Sequence, residues 1–318
     1  MNRQVDTPPS TRNPAAKPPG VARRRLRRFL RGWLRFLIAA SAVGAALLAW
    51  AFVWEPSRLT TRVYELPLPR WPESCDGLRV AVAADLHVGS PHSGIEKLRR
   101  IVAAIEQLHP DLVLLPGDFV IQDVMGGSFV APETIAATLA PLARGRPTFA
   151  VLGNHDWWHD GEHVARAFAQ AGIPTLDDRA REVHLQPAGR AGCTFWLAGF
   201  GDFWSGDPQP ALALAMVPYG APLLAFTHNP DIFPELPDCC ALVVAGHTHG
   251  GQVYLPLLGR LIVPSRYGQR YAVGPIVEGG RHYFVTPGLG TSILPVRFLV
   301  PPEVSLLVLR HQRDRSPR

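Results

Sequence analysis

The sequence predicts an α/β body built on two packed β-sheets, behind a single membrane-spanning helix near the N-terminus. Three observations carry this. Residues 36–54 form a run of 19 without a charged side chain. Beyond it, short apolar runs of strand length alternate with stretches of helical periodicity as far as residue 171. The remainder is richer in strands, and that succession fits two packed sheets flanked by helices.

The uncharged run approaches the roughly 20 residues a helix needs to cross the hydrocarbon core. Trp33, Trp50 and Trp54 lie near its ends, where amphipathic rings favour the interface. Arg23, Arg24, Arg25, Arg27, Arg28, Arg31 and Arg35 precede it and almost no basic residue follows, which places the N-terminus in the cytoplasm and the body outside. Ala49-Trp50-Ala51 has the small-x-small form of a signal-peptide cleavage site. The apolar run continues past it, so an uncleaved anchor is expected, and the spacing around Arg27-Arg28 does not fit a twin-arginine signal. The expected organisation is a basic, largely disordered tail over 1–35, the anchor over 36–54 and a linker over 55–77. One globular body over 78–310 and a basic C-terminal tail over 311–318 follow.

Of 318 residues, 47% are apolar, which excludes a disordered chain. The net charge of +6 and pI near 9.5 would point to a nucleic-acid partner. However, residues 1–35 hold ten Lys/Arg against Asp6 alone, and residues 310–318 hold four Arg against one Asp. The stretch between them has 18 basic and 24 acidic side chains, so the body is mildly acidic and no nucleic acid is expected. Four cysteines are too few for a disulfide scaffold in a chain this long. They read as buried thiols, with one bridge open to them in an oxidising compartment and its pairing undetermined.

Within the body, residues 78–84, 111–115 and 148–152 are apolar runs that read as buried strands. Residues 94–108, 132–142 and 162–171 have helical periodicity between and after them. Strands are expected again over 193–199, 223–227, 241–245, 271–277, 282–286 and 304–309, with Glu278-Gly279-Gly280-Arg281 as a hairpin turn.

Five polar segments fall at the C-terminal ends of these strands: Asp85-Leu86-His87, Gly117-Asp118, Gly153-Asn154-His155-Asp156, Thr227-His228-Asn229 and Gly246-His247-Thr248-His249. Ligands bind at that edge of α/β sheets. Each segment alone is commonly structural, but together they bring carboxylate, amide and imidazole to one edge. Oxygen and nitrogen ligands without thiolate suit Mn, Fe, Zn, Co or Mg. A carboxylate can bridge two cations, and two cations about 3.5–4 Å apart clamp both oxygens of a phosphoryl displacement.

These motifs, spanning about residues 80–250, resemble the calcineurin-like metallophosphoesterases. The resemblance implies a four-layer α/β/β/α sandwich and two divalent metal ions. It implies Asp85, His87, Asp118 and His249 around one, and Asp118, Asn154, His228 and His247 around the other, with Asp118 bridging. His155 would protonate the leaving oxygen or stabilise the transition state, oriented by Asp156. Gly117-Asp118 continues as Phe119-Val120-Ile121, unlike the protein phosphatases and purple acid phosphatases of that superfamily. The N-terminal span, Gly250-Gly251-Gln252, and Gly288-Leu289-Gly290-Thr291-Ser292 leading to Pro295-Val296-Arg297-Phe298 resemble the membrane-associated YkuE/YaeI-like bacterial branch.

The expected function is therefore a membrane-anchored, metal-dependent phosphodiesterase or phosphatase, in which a metal-held hydroxide attacks a phosphoester of an envelope or lipid-linked substrate. The expected location is the inner membrane, with the body extracytoplasmic. Two alternatives stand beside it: a UDP-2,3-diacylglucosamine-type pyrophosphatase, and a non-catalytic metal-stabilised protein that docks envelope ligands. Trp157-Trp158 and Phe203-Trp204 could wall a cleft for an acyl chain or sugar, or could be packing residues. His92, Arg266, Arg270 and Arg297 could each touch phosphate. His159 and His163 read as a solvated helix face, and His109, His184, His282 and His311 as structural.

Overall fold

The computed structural model describes residues 19–122, 124–186 and 192–312. It divides into an N-terminal unit ending at Leu48 and a large unit from Ala49 onward. The described part of the first unit is helical, within a helix Pro19–Ala49 whose run of Arg, Leu and Ala favours that conformation. Leu34, Phe36, Ile38, Val43 and Leu48 all face outward, and the helical segment Arg23–Ser57 is long and apolar enough to cross a membrane. The stretch expected to be a disordered tail is thus helical from Pro19; residues 1–18 of that tail, and 313–318 of the C-terminal one, lie outside the described residues.

The strands of the large unit are β1 (Thr60–Leu68), β2 (Leu78–Val82), β3 (Leu112–Pro116), β4 (Thr148–Val151), β5 (Arg179–Leu185), β6 (Cys193–Phe200), β7 (Leu223–Thr227), β8 (Leu242–Ala245), β9 (Gly274–Glu278), β10 (Arg281–Val285) and β11 (Glu303–His311). They form two mixed sheets, in the orders β1-β11-β2-β3-β4 and β5-β6-β7-β8-β10-β9. The segment 55–77 is not the linker expected of it. Thr60–Leu68 pairs in parallel with β11 along its whole length, from Thr60 opposite Glu303 to Leu68 opposite His311.

Side-chain alternation along the strands builds two cores from one sheet. Val80, Val82, Leu112 and Leu114 face Leu197, Leu224, Val244 and Phe284 of the second sheet. Ala81, Val113 and Leu115 face the helices Ile95–Gln107, Pro132–Gly145 and Asn154–Gln170. Short helices, Pro210–Ala215 and Pro230–Glu235, cover the outer face of the second sheet with Phe233 against Tyr271 and Tyr283. The architecture is the expected pair of mixed sheets flanked by helices.

The two sheets are also joined covalently. Cys75, three residues before β2, and Cys193, the first residue of β6, form a disulfide across 118 residues of chain. Trp71 packs on Phe195 beside it. Cys239 and Cys240 remain thiols.

Candidate metal centre

The parallel strands β2, β3 and β4 of one sheet, and β6, β7, β8 and β10 of the other, end at the same edge of the molecule, where the five polar segments meet. Asp85 and His87 follow β2, Asp118 follows β3, and Asn154 and His155 open the helix after β4. His228 follows β7, and His247 and His249 follow β8. All of these side chains are buried. Such short turns force the backbone into unusual shapes. Asp85, His87, Asp118, His247 and His249 all have positive φ, between 39° and 69°. That region disfavours non-glycine residues, and strain of this kind concentrates at functional sites. Gly153 is required by contact: a Cβ there would lie 2.2 Å from Asp118 Oδ1.

Two groups of ligating atoms result. Asp85, His87, Asp118 and His249 bring theirs within 4.8 Å of one another, and so do Asp118, His228 and His247. Asp118 Oδ2 belongs to both, 3.4 Å from His87 Nε2 and 3.3 Å from His228 Nε2. His87 Nε2 and His249 Nε2 face each other at 3.1 Å, as do His247 Nδ1 and His228 Nε2 at 3.0 Å. Asn154 Oδ1 joins the second group, 3.2 Å from His228 Nε2.

The electrostatics of this donor set call for cations. Asp85 Oδ2, His87 Nδ1 and His247 Nε2 are buried without a hydrogen-bond partner among the described residues. Burial pushes the Asp85 carboxyl up to about 7. Burial also drives His87 down to about 3 and His247 and His249 well below the usual imidazole range, so these rings are neutral and able to ligate at pH 7. Burial works against a charge on His228 too, but Asp118, Asp85 and Asp202 together raise it to about 10. Its Nε2 faces Asp118 Oδ2, a position where positive charge, from a proton or from a bound metal ion, balances buried negative charge.

Around this centre stand the remaining candidates. The His155 ring sits between His87 and Trp158, with centroids 4.7 Å from each, and its backbone N–H donates to Asp118 Oδ1 at 2.9 Å. Asp156 does not serve as the expected partner of the His155 ring. Its two oxygens accept from the backbone N–H groups of Asp118, Phe119, Val120 and Gly153, and so tie the Asp118 turn to the start of the helix. The aromatic pairs divide. Trp158 and Trp204 line a cavity of about 270 Å³ over Asp118, His155 and His247, whereas Trp157 and Phe203 pack into the cores. Trp204 stands edge-on to His247, centroids 4.3 Å apart.

The other residues able to touch phosphate are engaged elsewhere. Arg297 is fully buried and donates to the carbonyls of Gly290, Pro287 and Val300, beneath His249. Arg266 lies over Phe203, Arg270 pairs with Glu278, and His92 Nε2 lies 3.0 Å from the Phe52 carbonyl oxygen. His163 pairs with Glu133, and the His159 ring packs at a tilt against Phe129. One residue escaped the reading of the sequence: Asp202, fully buried, caps the backbone of Trp204 and Ser205 and adds negative charge near His228. As an isolated carboxylate after a strand it carries no motif.

Residues 78–251 match the calcineurin-like phosphoesterase family. The phosphodiesterase YaeI of Escherichia coli (strain K12) is 35% identical over 237 residues, covering 73% of this chain and 82% of that protein. YkuE of Bacillus subtilis (strain 168), an uncharacterised metallophosphoesterase, is 27% identical over 285 residues, covering 89% and 97%. The UDP-2,3-diacylglucosamine pyrophosphatase LpxG of Chlamydia trachomatis is 25% identical over 308 residues, covering 81% and 91%. The family uses a dinuclear metal site, and the two clusters that share Asp118 fit one. The chain belongs to the calcineurin-like phosphoesterase family and is a metal-dependent phosphoric ester hydrolase.

Proposed function

We propose that this protein is a membrane-anchored phosphodiesterase or phosphatase acting on a phosphoester of a cell-envelope or lipid-linked substrate. The observation that carries the reading is the pair of buried Asp/His clusters sharing Asp118 beneath a cavity walled by Trp158 and Trp204. Asp85, His87, Asp118 and His249 would hold one divalent ion, and Asp118, Asn154, His228 and His247 the other. The donor set accepts Mn, Fe, Zn, Co or Mg. When bound, two such ions supply Lewis acidity toward phosphoryl oxygens and a water nucleophile of lowered pKa.

The protein's own residues do the rest. His155, at the cavity wall and anchored through its backbone to Asp118, is placed to give a proton to the leaving oxygen or to hold charge developing on phosphorus. Asp156 keeps that turn in place through four backbone bonds. Trp158 and Trp204 exclude water from the reacting phosphoryl group and offer apolar contact to what it carries.

Residues 36–54 would be the anchor, and the catalytic body would extend from β1 to β11. The Cys75–Cys193 disulfide supports an extracytoplasmic body, because such bonds persist in oxidising compartments, and the arginines before the span support the same orientation in an inner membrane. The relative that is named a UDP-2,3-diacylglucosamine pyrophosphatase favours a second reading, cleavage of a nucleotide-linked lipid. That substrate would be cytoplasmic, at odds with the disulfide. A C-terminal alkaline phosphatase fusion active in cells supports the first reading, and an inactive one the second. The function itself is tested on a chromogenic phosphodiester with Mn²⁺: turnover lost in Asp118→Ala and His155→Ala supports it, and retention of full activity in either overturns it.

A further inference from the structure

We propose that the rim of the metal-centre cavity, formed by loops 255–262 and 293–299, inserts into the lipid bilayer surface, so that the enzyme takes its phosphoester from a lipid still in the membrane. The inference rests on the proposed anchor and deepens the lipid-linked reading of the same site.

The first observation is composition against exposure. Leu257 is fully exposed, Ile262 and Ile293 are 79% and 71% exposed, and Leu258, Leu261 and Leu299 also face outward. Residues 253–263 contain one charged side chain, Arg260, and residues 289–300 contain only Arg297, which is buried. An apolar patch of this kind beside a ligand cleft marks an interaction surface.

The second observation is conformational. Leu257, Ile293 and Leu299 have φ of 73°, 62° and 55°. Exposed turns in that region ordinarily take Gly or Asn, and a β-branched residue there is an outlier. Bulky apolar side chains are held outward where the backbone disfavours them and water gives them nothing, which points to an apolar medium around them.

The third observation selects that medium. The rim is bonded stepwise to the chain where the apolar segment ends. Arg297 N–H donates to the Ala51 carbonyl, and Phe298 exchanges backbone bonds with Gln252 and Tyr254. Leu255 N–H then donates to Gly259 at the base of the exposed tip. Phe52, Val53 and Trp54 are exposed beside this junction, and the Arg58 guanidinium lies 4.5 Å over the Trp54 ring, a pairing suited to the headgroup layer. Ile262 and Ile293 also line the cavity, so the apolar surface runs from the rim to His155 and Asp118.

The test uses the full chain in nanodiscs of phosphatidylethanolamine and phosphatidylglycerol. Leu258→Cys, in a Cys239→Ser background, carries an NBD fluorophore, and Leu261→Cys gives a second reading should the first variant misfold. The expected result is blue-shifted emission that spin-labelled lipids quench at least twofold, while a label at Tyr219→Cys, exposed at the far end of the sheets, stays unquenched. Water-like, unquenched emission at 258 and 261 overturns the proposal. So does a blue shift without lipid quenching, which would mean that the rim is covered by protein. Hydrolysis of the soluble chromogenic diester is followed on the same samples. Its absence with quenching present counts against the catalytic reading alone, and its presence without quenching counts against the rim alone.

Discussion

The two ends of the parallel strands are opposites. At their C-terminal ends, buried carboxylates and imidazoles crowd together on turns with left-handed backbone, and Asp85 Oδ2, His87 Nδ1 and His247 Nε2 have no hydrogen-bond partner among the described residues. At their N-terminal ends, Trp71 packs on Phe195 and the Cys75–Cys193 bridge closes the sheets on each other. The first arrangement is unfavourable in itself, since buried polar groups and strained φ each cost about 1–3 kcal/mol. The second supplies stability without touching the chemistry. The fold thus separates the end that works from the end that holds, with the inter-sheet core between them.

The sharpest way to break that separation is at Asp118, the group shared by both clusters. Asp118→Ala should lower diester turnover by a factor of about 10³ or more, since both metal positions lose a ligand and local charge. Isothermal titration should show loss of tight binding at both sites. The metal-free melting temperature should fall only modestly, because the His155 N–H loses its acceptor while His228 can release the proton that Asp118 holds on it. A fall comparable to that of a core truncation would show that the working end also holds the fold. Next in size, Asp156→Ala removes the acceptor for four backbone N–H groups. Activity should drop about 10- to 100-fold, the scale seen when groups supporting metal ligands are lost. The drop should appear in kcat and in metal affinity, measured by steady-state kinetics at several Mn²⁺ concentrations.

The reciprocal experiment is at the other end. Replacing Cys75 and Cys193 together by Ser opens a loop of 118 residues and should reduce stability by about 3 kcal/mol, read by urea denaturation. The kcat/KM of the folded protein should stay within about twofold, because no metal-centre group touches the bridge. A large kinetic effect with little loss of stability would reverse the assignment of roles.

Much of this was legible in the sequence, and the reasons are physical. A strand buried on both faces, such as β2 or β3, must be apolar throughout and stands out as a run. The metal-centre motifs stand out because cation chemistry admits few residue types and the turns admit small neighbours. Edge strands were harder. β1 carries Arg62, Glu65 and Pro67, and β5 carries Arg179, Arg181 and Glu182; each has one wet face and reads as loop or linker. The helix expected over 162–171 follows a break at Asp160, where φ is −173° and ψ 90°; the helical turn before it, opening at Asn154, was missed because its residues suit metal-site chemistry rather than helix propensity. The aromatic pairs were divided only by three-dimensional placement, which pattern does not encode. The role expected of Asp156 failed for a similar reason: a carboxylate beside a histidine in sequence was nearer in space to four amides.

The smallest expected effect lies at the junction between the apolar helical segment and β1, where Lys97 is buried and donates to the carbonyls of Pro56 and Leu289. Burial, with Arg297 and Arg100 nearby, pushes its ammonium down to about 7, against about 10.4 for an exposed lysine. Between those values the unfolded chain binds a proton that the native state does not, so the contribution of Lys97 to stability rises with pH across that window. In Lys97→Met that dependence should vanish. The difference in unfolding free energy between the two proteins should change by up to about 1 kcal/mol per pH unit between pH 7 and 9, and level off below pH 7. Differential scanning of both proteins in nanodiscs measures it. A difference that is flat with pH would mean that Lys97 keeps its charge in the folded protein. The junction would then resemble the metal centre, holding a buried charge for function, rather than the disulfide end.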